Sequence, residues 1–142
     1  YISNYLSKYH GIRNFMDSIV AETIEKGYVT TMFGRRRYVP EITDKNKNIV
    51  EFGKRIAMNT PIQGTAADII KLAMNKVYTT LKERKLKSKL IMQVHDELIV
   101  EATEDELEIV KEILTDSMKD VVKLSVPLDI DLNVGKTWYD AK

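Results

Sequence analysis

The sequence lacks cysteine altogether, is poor in proline, glycine, histidine and tryptophan, and carries a net charge of only +1. Without cysteine, the chain cannot form disulfide bonds or a thiolate zinc site. No apolar run approaches the roughly 18 residues that a membrane helix requires, and the first residues show no signal-peptide pattern. These absences exclude disulfide-stapled and membrane-spanning proteins. They predict a soluble intracellular protein, and the 44% of hydrophobic residues among 142 predicts one domain with one core.

The small net charge conceals an uneven distribution along the chain. Basic residues outnumber acidic ones by seven to three in residues 34–55 and by seven to one in residues 71–89. In residues 96–131, twelve acidic residues accompany only three lysines. Basic elements beside an acidic one predict a surface that holds a polyanion together with divalent cations. The alternative is that these charges are the solvated faces of amphipathic helices.

The first part of the chain shows a helical pattern followed by a hairpin pattern. Apolar residues recur every three or four positions over residues 1–26, which predicts a helix that ends at Gly27. Residues 28–39 are rich in β-formers around Gly34, which predicts a hairpin whose return strand is basic.

A second helical region follows a polar loop over residues 41–48. Its pattern predicts a helix over 49–59, which Thr60-Pro61 interrupts. Capping-box spacing allows the next helix to begin at either Thr60 or Thr65. That helix is expected to continue toward Arg84.

A second predicted hairpin carries acidic residues in its turn. Residues 90–94 and 98–100 are almost continuously apolar, which is typical of strands covered on both faces. Between them lie His95, Asp96 and Glu97, and carboxylate oxygens are the ligands that Mg²⁺ prefers. Charged residues in turns are usually solvated and have no binding role, so the turn alone is weak evidence for a metal site.

The last part of the chain predicts a helix and a strand. Thr103 and Glu106 have capping-box spacing before an amphipathic helix of about five turns. Residues 128–134 alternate between apolar and polar, which predicts a half-buried antiparallel strand. Asp129 and Asp131 would share its wet face, and alternation alone explains them. The complete pattern predicts an α+β fold in which two β-hairpins and a C-terminal strand pack with about four α-helices.

Three polar residues lie four positions apart in the middle of the chain. On a continuous helix Arg55, Asn59 and Gln63 would form one stripe that drifts by about 40° per step. Arg, Asn and Gln are residues that read base edges through paired donors and acceptors. The alternatives are a solvated face for Arg55 and a capping box for Gln63, whereas Asn59 is awkward inside a helix.

The motifs that contain these residues resemble the C-terminal end of family A DNA polymerases, the DNA polymerase I group. The resemblance covers essentially the whole chain, and it rests on the following segments in this order: Gly34-Arg-Arg-Arg-Tyr-Val-Pro40, Arg55-x-x-x-Asn59-x-Pro61-x-Gln63-Gly-Thr-Ala-Ala-Asp-Ile-Ile-Lys71, Gln93-Val-His-Asp-Glu97 and Val126-Pro127. It implies that the hairpins belong to the antiparallel sheet of a polymerase palm.

The resemblance also implies roles for the residues of the second hairpin. Asp96 would ligate Mg²⁺, of which the complete enzyme uses two ions, and Glu97 would support the metal or the primer end. His95 and Gln93 would lie near the primer terminus. The implied reaction is attack of a primer 3′-hydroxyl on the α-phosphate of a deoxynucleoside triphosphate.

Other residues are implied to contact primer-template DNA. Arg55, Asn59 and Gln63 would contact the nascent duplex on its minor-groove side, and Arg35 and Arg36 would bind DNA from the basic strand. The family implies a cytoplasmic, nucleoid-associated protein.

The sequence departs from the family pattern in what it does not contain. The Asp-Tyr-Ser motif with the other metal-binding aspartate and the fingers helix that grips the triphosphate are both absent from these 142 residues. We therefore expect the chain to be inactive without the missing palm and fingers segments, and to self-associate through surface that those segments would cover. The alternative is a non-catalytic module that binds duplex nucleic acid. A small metal-dependent phosphohydrolase is disfavoured because no cluster of histidine and aspartate completes its site.

Overall fold

The computed structural model describes residues 2–141, with side chains over residues 4–141. The chain divides into two compact units, with the boundary after Ala66. Helices combine with two antiparallel β-hairpins, so the predicted α+β class is confirmed. That the chain behaves as one domain stays a prediction. No helix in the described range is both long and apolar enough to cross a membrane.

The first unit contains a helical segment, a hairpin and a second helical segment. Its elements are α1 (Ile2–Lys8), α2 (His10–Lys26), β1 (Tyr28–Thr30), β2 (Arg36–Tyr38), a 3₁₀ turn (Pro40–Thr43), α3 (Lys47–Asn59) and a π-helical turn (Thr60–Gly64). The second unit contains most of α4 (Thr65–Glu83), then β3 (Lys89–Val94), β4 (Glu97–Glu101), a 3₁₀ turn (Glu104–Glu106) and α5 (Leu107–Lys119).

The helix predicted over residues 1–26 is interrupted at Tyr9, and its first residue, Tyr1, lies outside the described residues. Tyr9 adopts φ −111° and ψ 69°, outside the helical region. Tyr, His and Gly follow one another here, and all three are weaker helix formers than alanine. The predicted end is confirmed, because Gly27 is left-handed with φ 75° and its N–H donates to the Thr23 carbonyl.

The core of the first unit fixes α3 against the 3₁₀ turn. Val29, Val39, Ile42 and Ala57 are all buried in one cluster. Gly53 permits the close approach, since a Cβ at this position would lie 2.6 Å from the Ile42 backbone nitrogen. The helix that carries Arg55 and Asn59 is thereby held by backbone contact as well as by side chains.

The core of the second unit lies between the β3–β4 hairpin and two helices. Val77 and Leu81 of α4 and Val110 and Ile113 of α5 are buried together, and apolar residues of the hairpin pack against them: Leu90, Leu98 and Val100. The hairpin therefore has one covered face.

The prediction that these strands are covered on both faces is wrong. The side chains of Ile91 and Met92 are 56% and 38% exposed. A continuous apolar run indicates that a strand is mostly apolar, but it does not show how many layers lie beside it. Within the described residues, helices pack on only one side of the hairpin.

The C-terminal strand predicted over residues 128–134 is not formed, and the two hairpins make separate two-stranded sheets. The alternation itself is present, because Leu128 and Ile130 are half-buried whereas Asp129 and Asp131 are exposed. Alternation determines which side chains are buried, but a strand also needs a neighbour with free backbone groups. None of the described residues pairs with this segment.

Helix α5 is shorter than predicted, ending at Lys119 with Asp120 at its C-cap. Val121 and Val122 are half-buried although they lie beyond the helix. Their apolar spacing mimicked another helical turn, which explains the overestimate.

Glu106 anchors the segment before β3 instead of completing a capping box. Thr103 makes no side-chain cap bond, and the Glu106 carboxylate accepts hydrogen bonds from the Lys87 amide (2.9 Å), the Ser88 amide (2.8 Å) and the Ser88 hydroxyl (2.6 Å). Bonds from the Ser88 hydroxyl and the Lys87 amide lower the pKa of Glu106 from 4.5 to about 2. The carboxylate thus fixes the start of the hairpin.

We expect this anchor to make stability depend on pH. Because the pKa of Glu106 is lower in the folded chain, its stabilisation is complete above pH 4.5 and is lost as the pH falls toward 2. Glu106→Gln should lower the free energy of unfolding at neutral pH and remove that part of the acid dependence, measured by urea unfolding across this range. Glu104→Gln, on an exposed neighbour, is the control. Equal acid dependence in wild type and Glu106→Gln would contradict the assignment.

Candidate metal and nucleic-acid site

The predicted acidic turn is a two-residue turn between paired strands. Val94 pairs with Glu97, which leaves His95 and Asp96 as its central residues. His95 has φ 52°, and Asp96 does not have a positive φ. A positive φ at the first central residue alone is the pattern of a type II′ turn, where glycine is usual. A non-glycine residue in this conformation is strained, and such residues are common at functional sites.

The side chain of Gln93 supports this turn directly. Its Nε2 donates a 2.6 Å hydrogen bond to the carbonyl oxygen of His95. The bond fixes the peptide that follows the strained residue, next to Asp96. Gln93 therefore has a structural contact in addition to the role near the primer terminus that the family resemblance implies for it.

The turn leaves its three polar side chains accessible. His95, Asp96 and Glu97 are all exposed. The two adjacent carboxylates offer hard oxygen ligands, which suit Mg²⁺. Across residues 4–141, however, no three histidine or acidic side chains lie close enough together to hold a metal ion. The turn therefore fits one part of a metal site.

An irregularity in β3 lies just before the turn. Leu90 pairs with Val100 and Met92 with Ile99, so Ile91 is an extra residue that forms a β-bulge. Bulges increase the local twist and are common beside active sites. The bulge was not predicted, because an apolar run gives no sign of one extra residue.

The polar stripe occupies the surface of α3 and of the π-helical turn. Arg55, Asn59 and Gln63 are all exposed, and the Arg55 guanidinium lies 5.9 Å from the centre of the Phe52 ring. The hydrogen bonds of a π-turn close a wider ring than those of an α-helix, so each turn takes more residues. A step of four residues then comes closer to a full turn, which brings Gln63 more nearly into line with Asn59.

The capping box proposed for Thr60 and Gln63 is not formed. The Thr60 hydroxyl donates to the Ile56 carbonyl at 2.7 Å, and the side chain of Asn59, at the N-cap of the π-turn, makes no cap hydrogen bond. Thr60 and Thr65 both have right-handed helical backbone angles, so the backbone stays helical through the π-turn, and α4 begins at Thr65, one of the two predicted starts. Pro61 lacks an N–H and its ring disturbs an α-helical turn, which explains why the π-turn forms here.

The β1–β2 hairpin presents a basic and aromatic surface. Tyr28 pairs with Tyr38, and their ring centres lie 5.8 Å apart. The Arg36 guanidinium lies over the Tyr28 ring at 4.7 Å from its centre. The stacked guanidinium is held in place while remaining exposed.

Arg35 and the π-turn are joined by contacts that the sequence did not indicate. Arg35 Nη2 donates to the Gly64 carbonyl at 3.0 Å, and the Met32 amide donates to the Thr65 hydroxyl at 2.9 Å. A Cβ on Gly64 would lie 2.7 Å from the Thr31 methyl group. The signal that could have revealed this approach is a glycine beside a polar stripe, since such a glycine often marks close backbone contact.

The predicted residues fall into two groups, one in each unit. The first unit holds the candidate duplex contacts, namely Arg35, Arg36, Arg55, Asn59 and Gln63. The second unit holds the candidates for metal and primer-end contacts, namely Gln93, His95, Asp96 and Glu97. Every residue of both groups is exposed, and the roles of these residues remain predictions.

Comparison with known proteins connects both groups to one family. A model of DNA polymerase family A matches residues 1–140. The DNA polymerase I proteins of Bacillus subtilis and Geobacillus stearothermophilus are 50% and 49% identical over all 142 residues, which span 16% of each relative's length. A solved polymerase domain of Pol1 from M. smegmatis, in complex with DNA primer-template and dNTP, has a TM-score of 0.94 and 37% identity over 99% of this chain and 25% of that one.

Proposed function

Since the chain belongs to DNA polymerase family A, we propose that it forms part of a DNA-directed DNA polymerase that extends a primer with deoxynucleoside triphosphates. The observation that carries the proposal is the two-residue turn with exposed Asp96 and Glu97, in a chain that matches its relatives over its full length. The relatives are much longer, so the activity belongs to the larger protein. A cytoplasmic, nucleoid-associated location is part of the same proposal.

The turn supplies carboxylates to a metal site that other segments complete. Asp96 would ligate Mg²⁺, and Glu97 would support the ion or the primer end. When bound, two Mg²⁺ ions would lower the pKa of the attacking hydroxyl and stabilise the leaving pyrophosphate. The hydrogen bond from Gln93 to the carbonyl of His95, whose backbone is strained, would hold the Asp96 carboxylate in a fixed position at the turn.

The polar stripe positions the DNA. Arg55, Asn59 and Gln63 would contact the minor-groove side of the nascent duplex, where acceptors occur at similar positions in all base pairs. Such contacts form with any base sequence, which an enzyme that copies DNA requires. The stacked guanidinium of Arg36 would contact phosphate.

The reaction is an in-line transfer. The primer 3′-hydroxyl would release its proton to water as its oxygen forms a bond to the α-phosphorus of the incoming nucleotide. The bond to the bridging oxygen would break, and pyrophosphate would leave with that electron pair. The residues of this chain would hold the primer terminus in line and keep the duplex from shifting. Correct placement of the reacting atoms is a large part of catalysis in phosphoryl transfer.

We expect the 142-residue chain to be inactive alone. It offers one acidic turn and no group of three metal-binding side chains among the described residues. Primer extension should be undetectable with the chain, and restored in a complete polymerase, meaning Bacillus subtilis DNA polymerase I in which this chain replaces the matching segment. Incorporation by the chain alone would contradict this expectation.

A non-catalytic duplex-binding module is the second candidate, and the exposed Arg36 on the Tyr28 ring favours it. This candidate would be supported if the complete protein bound duplex DNA in a salt-sensitive way but did not extend a primer.

Under either candidate, the exposed side chains of Ile91 and Met92 should make the isolated chain self-associate, which sedimentation would detect.

A further inference from the structure

The turn of the first hairpin contacts the end of the π-turn and the start of α4. The contacts of Thr31, Met32 and Arg35 with Gly64 and Thr65 are called the hairpin clamp below. Two of the contacts are hydrogen bonds, from Arg35 Nη2 to the Gly64 carbonyl and from the Met32 amide to the Thr65 hydroxyl. The third is the close approach of the Thr31 methyl group to Gly64, where an added Cβ would lie 2.7 Å from that methyl group.

The turn that makes these contacts is itself well fixed. The Thr31 amide donates to the Arg35 carbonyl and the Gly34 amide donates to the Thr31 carbonyl, at 3.0 and 2.9 Å. The Arg35 amide also donates to the Thr31 hydroxyl at 3.3 Å. Thr31 is only 5% exposed, so the residue that fixes this turn is itself buried.

The π-turn is the element that needs such support. A π-turn is rare, and it occurs frequently at functional sites. Gln63 lies directly before Gly64, the residue that the clamp holds by its carbonyl. A guanidinium that donates to this carbonyl forms a charge-assisted bond, which is stronger than a neutral one.

We infer that Arg35 is a positioning residue that acts through the π-turn, holding Gln63 in line with Arg55 and Asn59 on the primer duplex. This inference rests on the proposed function, which gives Gln63 its duplex contact. It differs from the sequence-based prediction that Arg35 binds DNA itself, because its guanidinium is engaged by the chain.

The first test is steady-state primer extension by the complete polymerase carrying Arg35→Gln. We expect kcat to fall about 10- to 100-fold, the loss that a small misplacement of reacting groups produces. The Kd for primer-template and its dependence on salt should stay unchanged. Arg36→Gln, which removes a proposed phosphate contact, should instead weaken binding and reduce the salt slope by about one.

The second test is a double-variant cycle between Arg35→Gln and Gln63→Ala. If Arg35 acts through Gln63, the double variant should lose no more kcat than Gln63→Ala alone. Arg35→Lys keeps a cation that can donate to the carbonyl and should recover part of the loss. Arg37→Gln removes a charge from an exposed neighbour in β2 and should leave the kinetics unchanged.

Each contrary outcome has a distinct meaning. A reduced salt slope for Arg35→Gln, or losses that multiply in the double variant, would overturn the positioning role while leaving the duplex contact of Gln63 intact. Unchanged kinetics for Gln63→Ala would overturn that contact and the inference together. Where Arg35→Gln does not fold, Thr65→Val removes the other clamp bond, and the same cycle with Gln63→Ala decides.

Discussion

Asp96→Ala is expected to lower the turnover of the complete polymerase by about a thousandfold or more, while its affinity for primer-template stays close to normal. A carboxylate that ligates a catalytic ion contributes several kcal/mol to the transition state, and each 1.36 kcal/mol corresponds to a tenfold change in rate. The side chain is exposed at a turn, so its removal should not disturb the core. Single-turnover primer extension and a separate binding titration measure the two quantities.

Asp131→Ala is the matched control for this prediction. Asp131 is also an exposed aspartate in the acidic part of the chain, and strand-like alternation alone accounts for it. Its removal should leave turnover unchanged. A large loss of DNA affinity in Asp96→Ala with normal turnover would reverse the assignment and make Asp96 a binding residue.

Gly53→Ala is expected to destabilise the first unit by about 1–3 kcal/mol, the usual cost of overpacking. The added Cβ would lie 2.6 Å from the Ile42 nitrogen and 2.8 Å from its Cα. These are backbone atoms, so α3 or the 3₁₀ turn must move rather than a flexible side chain. The gain of up to about 1 kcal/mol from replacing a helical glycine does not offset this cost.

Gly11→Ala makes the comparison decisive. Gly11 is also helical, in α2, but a Cβ there would meet nothing within 4 Å. We expect this substitution to be neutral or stabilising, by up to about 1 kcal/mol. Chemical denaturation should therefore show a loss of stability for Gly53→Ala and no loss for Gly11→Ala. Similar changes in both would mean that helix propensity, and not the contact with Ile42, determines the result.

Local patterns in the sequence predicted the positions of the helices and of both hairpins, because each depends on neighbours in the chain, although the first helix is interrupted at Tyr9 and α5 ends earlier than predicted. Gly27, for example, ends α2 as expected, since only its own backbone angles are needed. The strand over 128–134 failed for the opposite reason. Its pattern was correct, but ladder formation depends on a distant partner that no local pattern reveals.

The candidate site shows the same division. The two-residue turn with Asp96 could be predicted from the apolar runs on either side and from the family motif. The contact between Arg35 and Gly64 could not, because it joins residues 29 positions apart and depends on the π-turn that Pro61 imposes. Long-range contacts of this kind can be recognised only in the folded structure.

The tight turn between β3 and β4 also limits how this hairpin can change during evolution. With only two residues between paired strands, one inserted or deleted residue would shift the pairing and move the side chains after it to the opposite face. Glu97, which is exposed, would then turn toward the core, whereas Leu98 and Val100 would leave the core for solvent. Point substitution is therefore the route by which this turn can diversify, whereas changes of length should be tolerated only in the loops farther from it.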